Sequence, residues 1–538
     1  MKQMKTLVSV FLALVIVLVC CPVAFAGSIG TTYYVDSING DDVNSGTSED
    51  AAWKTTEKAS SVEYSAGDKI LFKAGGYFVG TFTAKGSGTA ENPIVLGSYG
   101  DVEKFGKPAL TAIGENAVIE IKDVSCWTVD GLDISAPDGR GVYIICRSTR
   151  MNGITVENCS LHDIFTKRSP SQVIYSHASV GIDSEGSGIL SNVVLKNNDI
   201  RDCGYGIWSD GNSIERTWTV FVSPEESYAQ NLLYEGITMN NVFYDGIAIG
   251  SVNNLTIRNC VLINTSLYED FYTAPTWMHH AKNVLIENCE IAGSTNTMDG
   301  MAVDFDGWTT DSTYQYIYSH DNVRFMQNCV YDDETQNRNC TVRYCLSVND
   351  NKALNNASQM LGKEATVGMD NFKFYNNTIV NGSAFCFAAN INSVIANNIF
   401  CNTKLTEVQM SRMSSKKILY NFTGLFTNNC MIGYAIPVNA KKTITQPAGF
   451  FGGDVYDVNS YRLTADSPLI GKGTQADEDM GEHDFYGNAI TDVHNIGCFD
   501  APGLEGGAKV TVAEKIKNVF LAIGARVFGY VLSVINRC

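Results

Sequence analysis

An eight-residue phrase recurs along the chain and limits what it can fold into: apolar–x–apolar–x–Asn–(Cys or Asn)–x–apolar. It reads ITVENCSL at Ile154–Leu161, VVLKNNDI at Val193–Ile200, LTIRNCVL at Leu255–Leu262, VLIENCEI at Val284–Ile291 and FKFYNNTI at Phe372–Ile379. Weaker copies start at Ile237, Tyr314, Cys340 and Ser393. Apolar and polar residues alternate with period two, so each copy is a short strand with one buried face. The Asn slot is filled at 158, 197, 259, 288, 376 and 397, with Tyr318 and Tyr344 in two weaker copies. The interval is 29 residues from Asn259 to Asn288, 26 from Tyr318 to Tyr344 and 21 from Asn376 to Asn397. Such intervals fit one turn of a solenoid whose loops vary in length.

Asn tolerates left-handed backbone, and its amide bonds to a copy stacked above or below. An Asn column therefore turns every coil at the same place. The next position (Cys159, Cys260, Cys289, Cys345; Asn198, Asn377, Asn398) forms a second column, pointing inward. Coil upon coil, the strands pair in parallel. The Leu spacing of a leucine-rich horseshoe and the even blades of a propeller are both missing.

On these features the chain resembles the right-handed parallel β-helix proteins, the pectate-lyase-like group of polysaccharide-degrading enzymes. Two flanking stretches carry the likeness further. Thr32–Ala59 and Ser87–Gly100 look like the opening segment of secreted β-helix proteins, and Tyr461–Gly473 with Asp484–Asp500 like their closing segment. The resemblance implies an all-β fold and extracellular carbohydrate as partner, but it does not select a reaction, because the fold hosts several. The polygalacturonase set of Asn-x-Asp, Asp-Asp and Gly-His-Gly is absent, and so is any nucleophilic Ser motif, phosphate loop or dinucleotide fingerprint.

The chain of 538 residues reads as three parts: a signal peptide over 1–26, a β-helix domain over 27–502, and a Gly-rich linker with a C-terminal amphipathic helix over 503–538. Lys2 and Lys5, an apolar run from Leu7 to Val19 and Ala24-Phe25-Ala26 predict export with cleavage after Ala26, to the medium or the cell surface. In the tail, Val512, Ile516, Val519, Phe520, Ile523, Val527, Val531 and Val534 share one helical face. Lys515, Lys517 and Arg526 interrupt it, so the helix either docks on the solenoid or touches a membrane or cell wall. Fourteen of 16 Cys remain after cleavage, and the inward column reads them as stacked thiols. A net charge of −18 disfavours nucleic acid. A monomer is expected.

Aligning Gly206, Gly246, Gly300 and Asn322 builds a second strand per coil. Outward positions are then Trp208 and Asp210; Ala248 and Gly250; Ala302, Asp304, Asp306 and Trp308; Arg324, Met326 and Asn328. Asp304 and Asp306 lie about 6.5–7 Å apart along one strand, with Asp210 roughly 10 Å away in the Asp304 column. Paired carboxylates of this kind suit glycoside hydrolysis, one as acid and one as base or nucleophile. Trp208 and Trp308 offer faces for sugar rings, Arg324 a fork for a sugar carboxylate, and His320 a group that titrates near neutrality. Solvated surface Asp is the competing reading. A further column of Asp245, Asp299 and Asp321 calls for a cation, and calcium suits it; Asp-Gly turn chemistry is the favoured competing account. His279 and His280 are expected to line a loop, and Asp183 and Glu185 to sit in an irregular coil. The leading expectation is a glycoside hydrolase that needs no cofactor. The alternatives are a calcium-dependent polysaccharide lyase, with Arg324 as base, and a carbohydrate-binding adhesin.

Overall fold

The computed structural model describes residues 30–114, 116–147, 149–164, 178–184, 188–211, 229–269, 272–328, 337–352, 369–383, 387, 390–402, 419 and 422–505. The expected signal peptide and C-terminal helix lie outside these residues, as does Glu185. Within them the chain is mostly β and forms three parallel sheets of 14, 13 and 9 strands. Each sheet takes one strand per coil.

The recurring phrase builds two of the three. Its first half enters the 14-stranded sheet, as in Arg150–Glu157, Ile189–Lys196 and Lys282–Glu287. Its last residues enter the 13-stranded sheet, as in Ser160–His162 and Glu290–Ala292. Between them the backbone turns left-handed at Asn158, Asn197, Asn259, Asn288, Asn376, Asn397 and Asn428, with φ of 51° to 56°. Gly131 and Gly236 take the same slot in two coils where the phrase is weak. Two readings are corrected here: the weak copy placed at Ile237 begins past its corner, Gly236, and the coil after Asn288 turns at Tyr316 (φ 56°), not at Tyr318. Tyr314 lies level with Ile286, so this copy of the phrase starts two residues earlier than its Tyr spacing suggests. Tyr316 and Tyr344 hold a conformation that costs a bulky residue about 1–2 kcal/mol. The Tyr316 ring stacks on His483 at 4.1 Å, and the Tyr344 hydroxyl donates to Asp500 at 3.3 Å. Both thereby tie the coils to the closing segment.

The inward column is buried as expected. Cys159, Cys260, Cys289 and Cys345 stand in it as free thiols, and all eleven described cysteines are unpaired. Toward the C-terminal end the column becomes an amide ladder. Asn377 N–H donates to Asn398 Oδ1 (3.0 Å), and Asn398 N–H donates to Asn429 Oδ1 (2.9 Å). The side-chain amides of Asn377 and Asn398 repeat the same links. These bonds satisfy polar groups that burial would otherwise leave orphaned.

The interior is one continuous apolar core running the length of the coils, from Val35 to Tyr434. Residues 448–504 cover the far coils: Gly497 N–H donates to Asn397 O, and the Asn376 amide donates to Asn495 O and Gly497 O.

Candidate active site

The candidate carboxylates and their aromatic neighbours gather on the 9-stranded sheet. Its strands include Arg140–Cys146, Ala178–Ser184, Tyr205–Gly211, Ile247–Gly250, Thr276–His279, Met301–Phe305 and Arg324–Asn328. One outward column reads Tyr143, Gly181, Trp208, Ala248, Trp277. The next reads Ile145, Asp183, Asp210, Gly250, His279. Met278 pairs with Phe305, which sets Trp277 opposite Asp304 and His279 opposite Asp306. The Asp306 N–H confirms this register by donating to Met278 O at 2.8 Å.

Several expectations change. The strand Thr276–His279 lies between Ile247–Gly250 and Met301–Phe305, so one whole coil separates Gly250 from the acidic strand. Asp210 therefore stands in the column of His279 and Asp306, not that of Asp304. The count back to Asp306 is three coils, about 14 Å at 4.8 Å each. Ala302, Met326 and Asn328 are not outward. Ala302 and Met326 belong to the core, and Asn328 is buried with its Oδ1 accepting from the Asn337 amide at 2.6 Å. Ala302–Val303 and Phe325–Met326 both face inward as consecutive residues, so the two-residue alternation slips there. Met301, expected inside, joins the outer aromatic cluster instead.

The outward carboxylates are not solvated. Asp304 is 3% exposed and Asp306 7%. Burial raises the Asp304 carboxyl well above the ordinary carboxylate range; the charges of Asp306 and Asp299 push the same way, and Arg324 opposes them. The Asp304 Oδ1 has no hydrogen-bond partner among the described residues. Asp245 is equally buried, and burial lifts its carboxyl to about 8, although it accepts from the Ala274 N–H at 2.8 Å and from Trp277. Asp299 adds to that rise and accepts from the Gln327 amide at 3.3 Å. Four carboxylates thus share one buried neighbourhood, with Arg324 as the cation beside them. The Arg324 Nη1 donates to Met298 O (3.1 Å) and Gln327 Oε1 (2.6 Å), and Nη2 to Thr297 O (3.3 Å).

The metal column does not assemble. The coil neighbour of Asp245 is Ala274. Asp321 sits at a corner of the 13-stranded sheet with φ of 53°, level with Asn349 and Asn381 in later coils. Asp there serves the same left-handed turn as Asn. Among the described residues no group of three His, Cys, Asp or Glu is arranged to hold a metal ion. His320 lies on that sheet too, with Nε2 3.1 Å from Glu290 and Nδ1 3.0 Å from Asp321, and it does not join Asp304 and Asp306.

An aromatic ribbon borders the acids. Tyr244 stacks on Tyr205 (4.8 Å), Tyr205 meets Trp208 edge-on (5.8 Å), and Trp208 meets Trp277 (5.5 Å). Trp277 stacks on His279 (5.2 Å), His279 meets His280 (4.9 Å), and His280 stacks on Trp308 (4.2 Å). Trp208 and Trp308 are thus outward but joined by Trp277 and the two histidines, which were expected in a loop. Asp183 also departs from expectation: it lies in a regular strand and accepts from the Tyr143 hydroxyl at 3.1 Å. The missed strand was readable. Ile247 and Thr276 each stand eight residues before the first apolar position of the phrase, at Leu255 and Val284.

No protein-family model matches the chain. It is 24% identical, over an alignment of 607 residues, to a lacto-N-biosidase of Bifidobacterium longum subsp. longum, covering 88% of this chain and 36% of that protein. The chain therefore spans about a third of that relative's length. Among solved structures it is similar to GH136 lacto-N-biosidase from Eubacterium ramulus, with a TM-score of 0.53 and 18% identity over 76% of this chain and 68% of the other. It is also similar to XylC in complex with xylose, with a TM-score of 0.51 and 11% identity over 88% of this chain and 99% of the other. The fold is a parallel β-helix, as in these structures.

Proposed function

We propose that this chain is a glycoside hydrolase acting on an oligosaccharide, with Asp304 as the acid and Asp306 as its ionised partner. The observation that carries the reading is the buried outward pair, in which burial and the neighbouring Asp306 charge push the Asp304 carboxyl toward its protonated form. Similarity to lacto-N-biosidases supports it and suggests a lacto-N-biose unit as the group released. In the proposed step, Asp304 passes its proton to the glycosidic oxygen as the C–O bond breaks. Asp306 stabilises the oxocarbenium-like carbon, as nucleophile or by deprotonating water. The chemistry uses protein groups alone. Burial keeps bulk water from the acids, which strengthens their fields.

The lyase alternative needs a basic side chain in the groove. Its candidate, Arg324, has both terminal nitrogens engaged by Met298, Thr297 and Gln327, which counts against it. Export, with Ala26 as the end of the leader, remains part of the proposal. The test is purified chain incubated with a chromogenic lacto-N-bioside and a glycan panel, following released reducing ends and absorbance of unsaturated product. Reducing ends lost in Asp304→Asn support the reading. Unsaturated product points to a lyase, and glycan binding without product to an adhesin.

A further inference from the structure

The acidic pair poses a physical problem: two neighbouring carboxyls in a dry site need something that decides which keeps the proton. We propose that His279 and His280 form one proton-sharing unit that keeps Asp306 ionised and so confines the proton to Asp304. The inference rests on the hydrolase reading.

Three observations converge on the pair. First, the two Nδ1 atoms lie 2.7 Å apart. One ring must donate and the other accept, so while this bond lasts the pair carries no charge or a single positive charge, never two. Secondly, the outer faces of both rings are covered by indoles, Trp277 over His279 and Trp308 over His280. An indole face attracts a cation within about 6 Å, which favours the singly charged form. Thirdly, His280 and Trp308 hold left-handed backbone at φ of 47° and 62°, and the His280 N–H donates to Gly307 O at 3.0 Å. Strained aromatic residues of this kind persist where the surroundings demand them.

Register places the unit against one carboxylate in particular. Among the described residues, the positions level with His279 are Gly250 and then Asp210 in the two preceding coils and Asp306 in the following coil, with Asp304 level with Trp277, and Trp277 and Trp308 stack on the two rings. His279 is level with Asp306, whereas Asp304 is level with Trp277. A positive charge on the unit therefore acts mainly on Asp306. His279 and His280 are positioning residues, acting on substrate through Asp306.

The test replaces each histidine by Phe, which keeps a ring on the indole but holds no proton. In His279→Phe and in His280→Phe the acidic limb of kcat/KM should move up by about one pH unit, with KM little changed. The double variant should move it no further, because either ring alone breaks the unit. If either Phe variant misfolds, His279→Asn and His280→Asn take its place. An unmoved limb, or shifts that add, overturns the proposal. A second measurement is independent of turnover: imidazole NMR titration of the pair in the full chain and in Asp306→Asn. Loss of the carboxylate should lower the pair's midpoint by about one unit; an unchanged midpoint overturns the inference even if the chain proves a hydrolase. A shifted midpoint in a chain that cleaves no glycan leaves the coupling standing and refutes the hydrolase reading alone.

Discussion

Asp245→Asn should stabilise the protein, and the gain should depend on pH. Asp245 is 3% exposed and its carboxyl is raised from 3.8 to about 8, first by burial and then by Asp299, against the hydrogen bonds from Ala274 and Trp277. Between those two values the unfolded chain has released this proton and the folded chain still holds it. The folded state therefore binds one more proton, and stability falls by 1.36 kcal/mol for each pH unit. The penalty starts near pH 3.8, grows through pH 7 and stops growing at the folded value. At pH 7 it reaches about 4 kcal/mol, and relaxation around a polar site brings the expected figure to about 2–4. Asn removes the penalty because it has no proton to lose, and its oxygen still accepts from Ala274. The assay is urea unfolding of both proteins from pH 4 to pH 8, taking the difference in midpoint. The variant should be near parity at pH 4 and clearly more stable at pH 7. A difference that stays flat with pH, or a variant less stable at pH 7, refutes the reasoning that burial strains this carboxyl.

Three further outcomes follow from the same contacts. Asp304→Asn should cut kcat by about 10²–10⁴-fold without lowering the melting temperature, because general acid catalysis is lost and a buried titratable group is removed; activity within tenfold of wild type would move the acid elsewhere. Asn398→Leu keeps the volume but orphans the Asn377 N–H and the Phe374 carbonyl, which should cost about 2–5 kcal/mol in chemical unfolding. Burial would raise the Asp36 carboxyl, but the bonds from Lys73, Asn39 and Ile38 outweigh it and hold it at about 2. Asp36→Asn should therefore lose about 2 kcal/mol at pH 7, a loss that fades as pH falls from about 4 toward 2, read by urea unfolding at pH 7 and pH 3.

The phrase made two sheets, the Asn corner and the inward column readable, because left-handed Asn and period-two alternation are local properties of the backbone. Its failures were also local. Tyr316 and Tyr318 flank Ile317 symmetrically, and only stacking against Asn288 shows which one turns the coil. Asp321 resembled Asp245 and Asp299 because Asp precedes Asn322 as it precedes Gly246 and Gly300, yet it fills a corner slot shared with Asn349 and Asn381. Thr276–His279 escaped notice because TWMH holds two aromatic groups where the neighbouring strand IAIG has small residues. Asp304 and Asp306 were found by alternation alone. Their burial was not legible, since it depends on what lies over the sheet rather than on the strand itself.

The distribution of regularity over the three sheets bears on where chemistry can arise. The Asn corner fixes the angle between the 14- and 13-stranded sheets in coil after coil, so those two faces accept little change without breaking the stack. The 9-stranded sheet has no phrase of its own. Its consecutive inward residues at Ala302–Val303 and Phe325–Met326 break the two-residue alternation in neighbouring strands. The slip at Ala302–Val303 lets Met301 and Asp304, three positions apart, both face outward. The intervening coil sets the acidic strand against Trp277 and His279 rather than against the empty Ala248–Gly250 stretch. A repeat that governs two faces leaves the third free to vary, and the buried acids, the histidine pair and the indoles all lie on that third face.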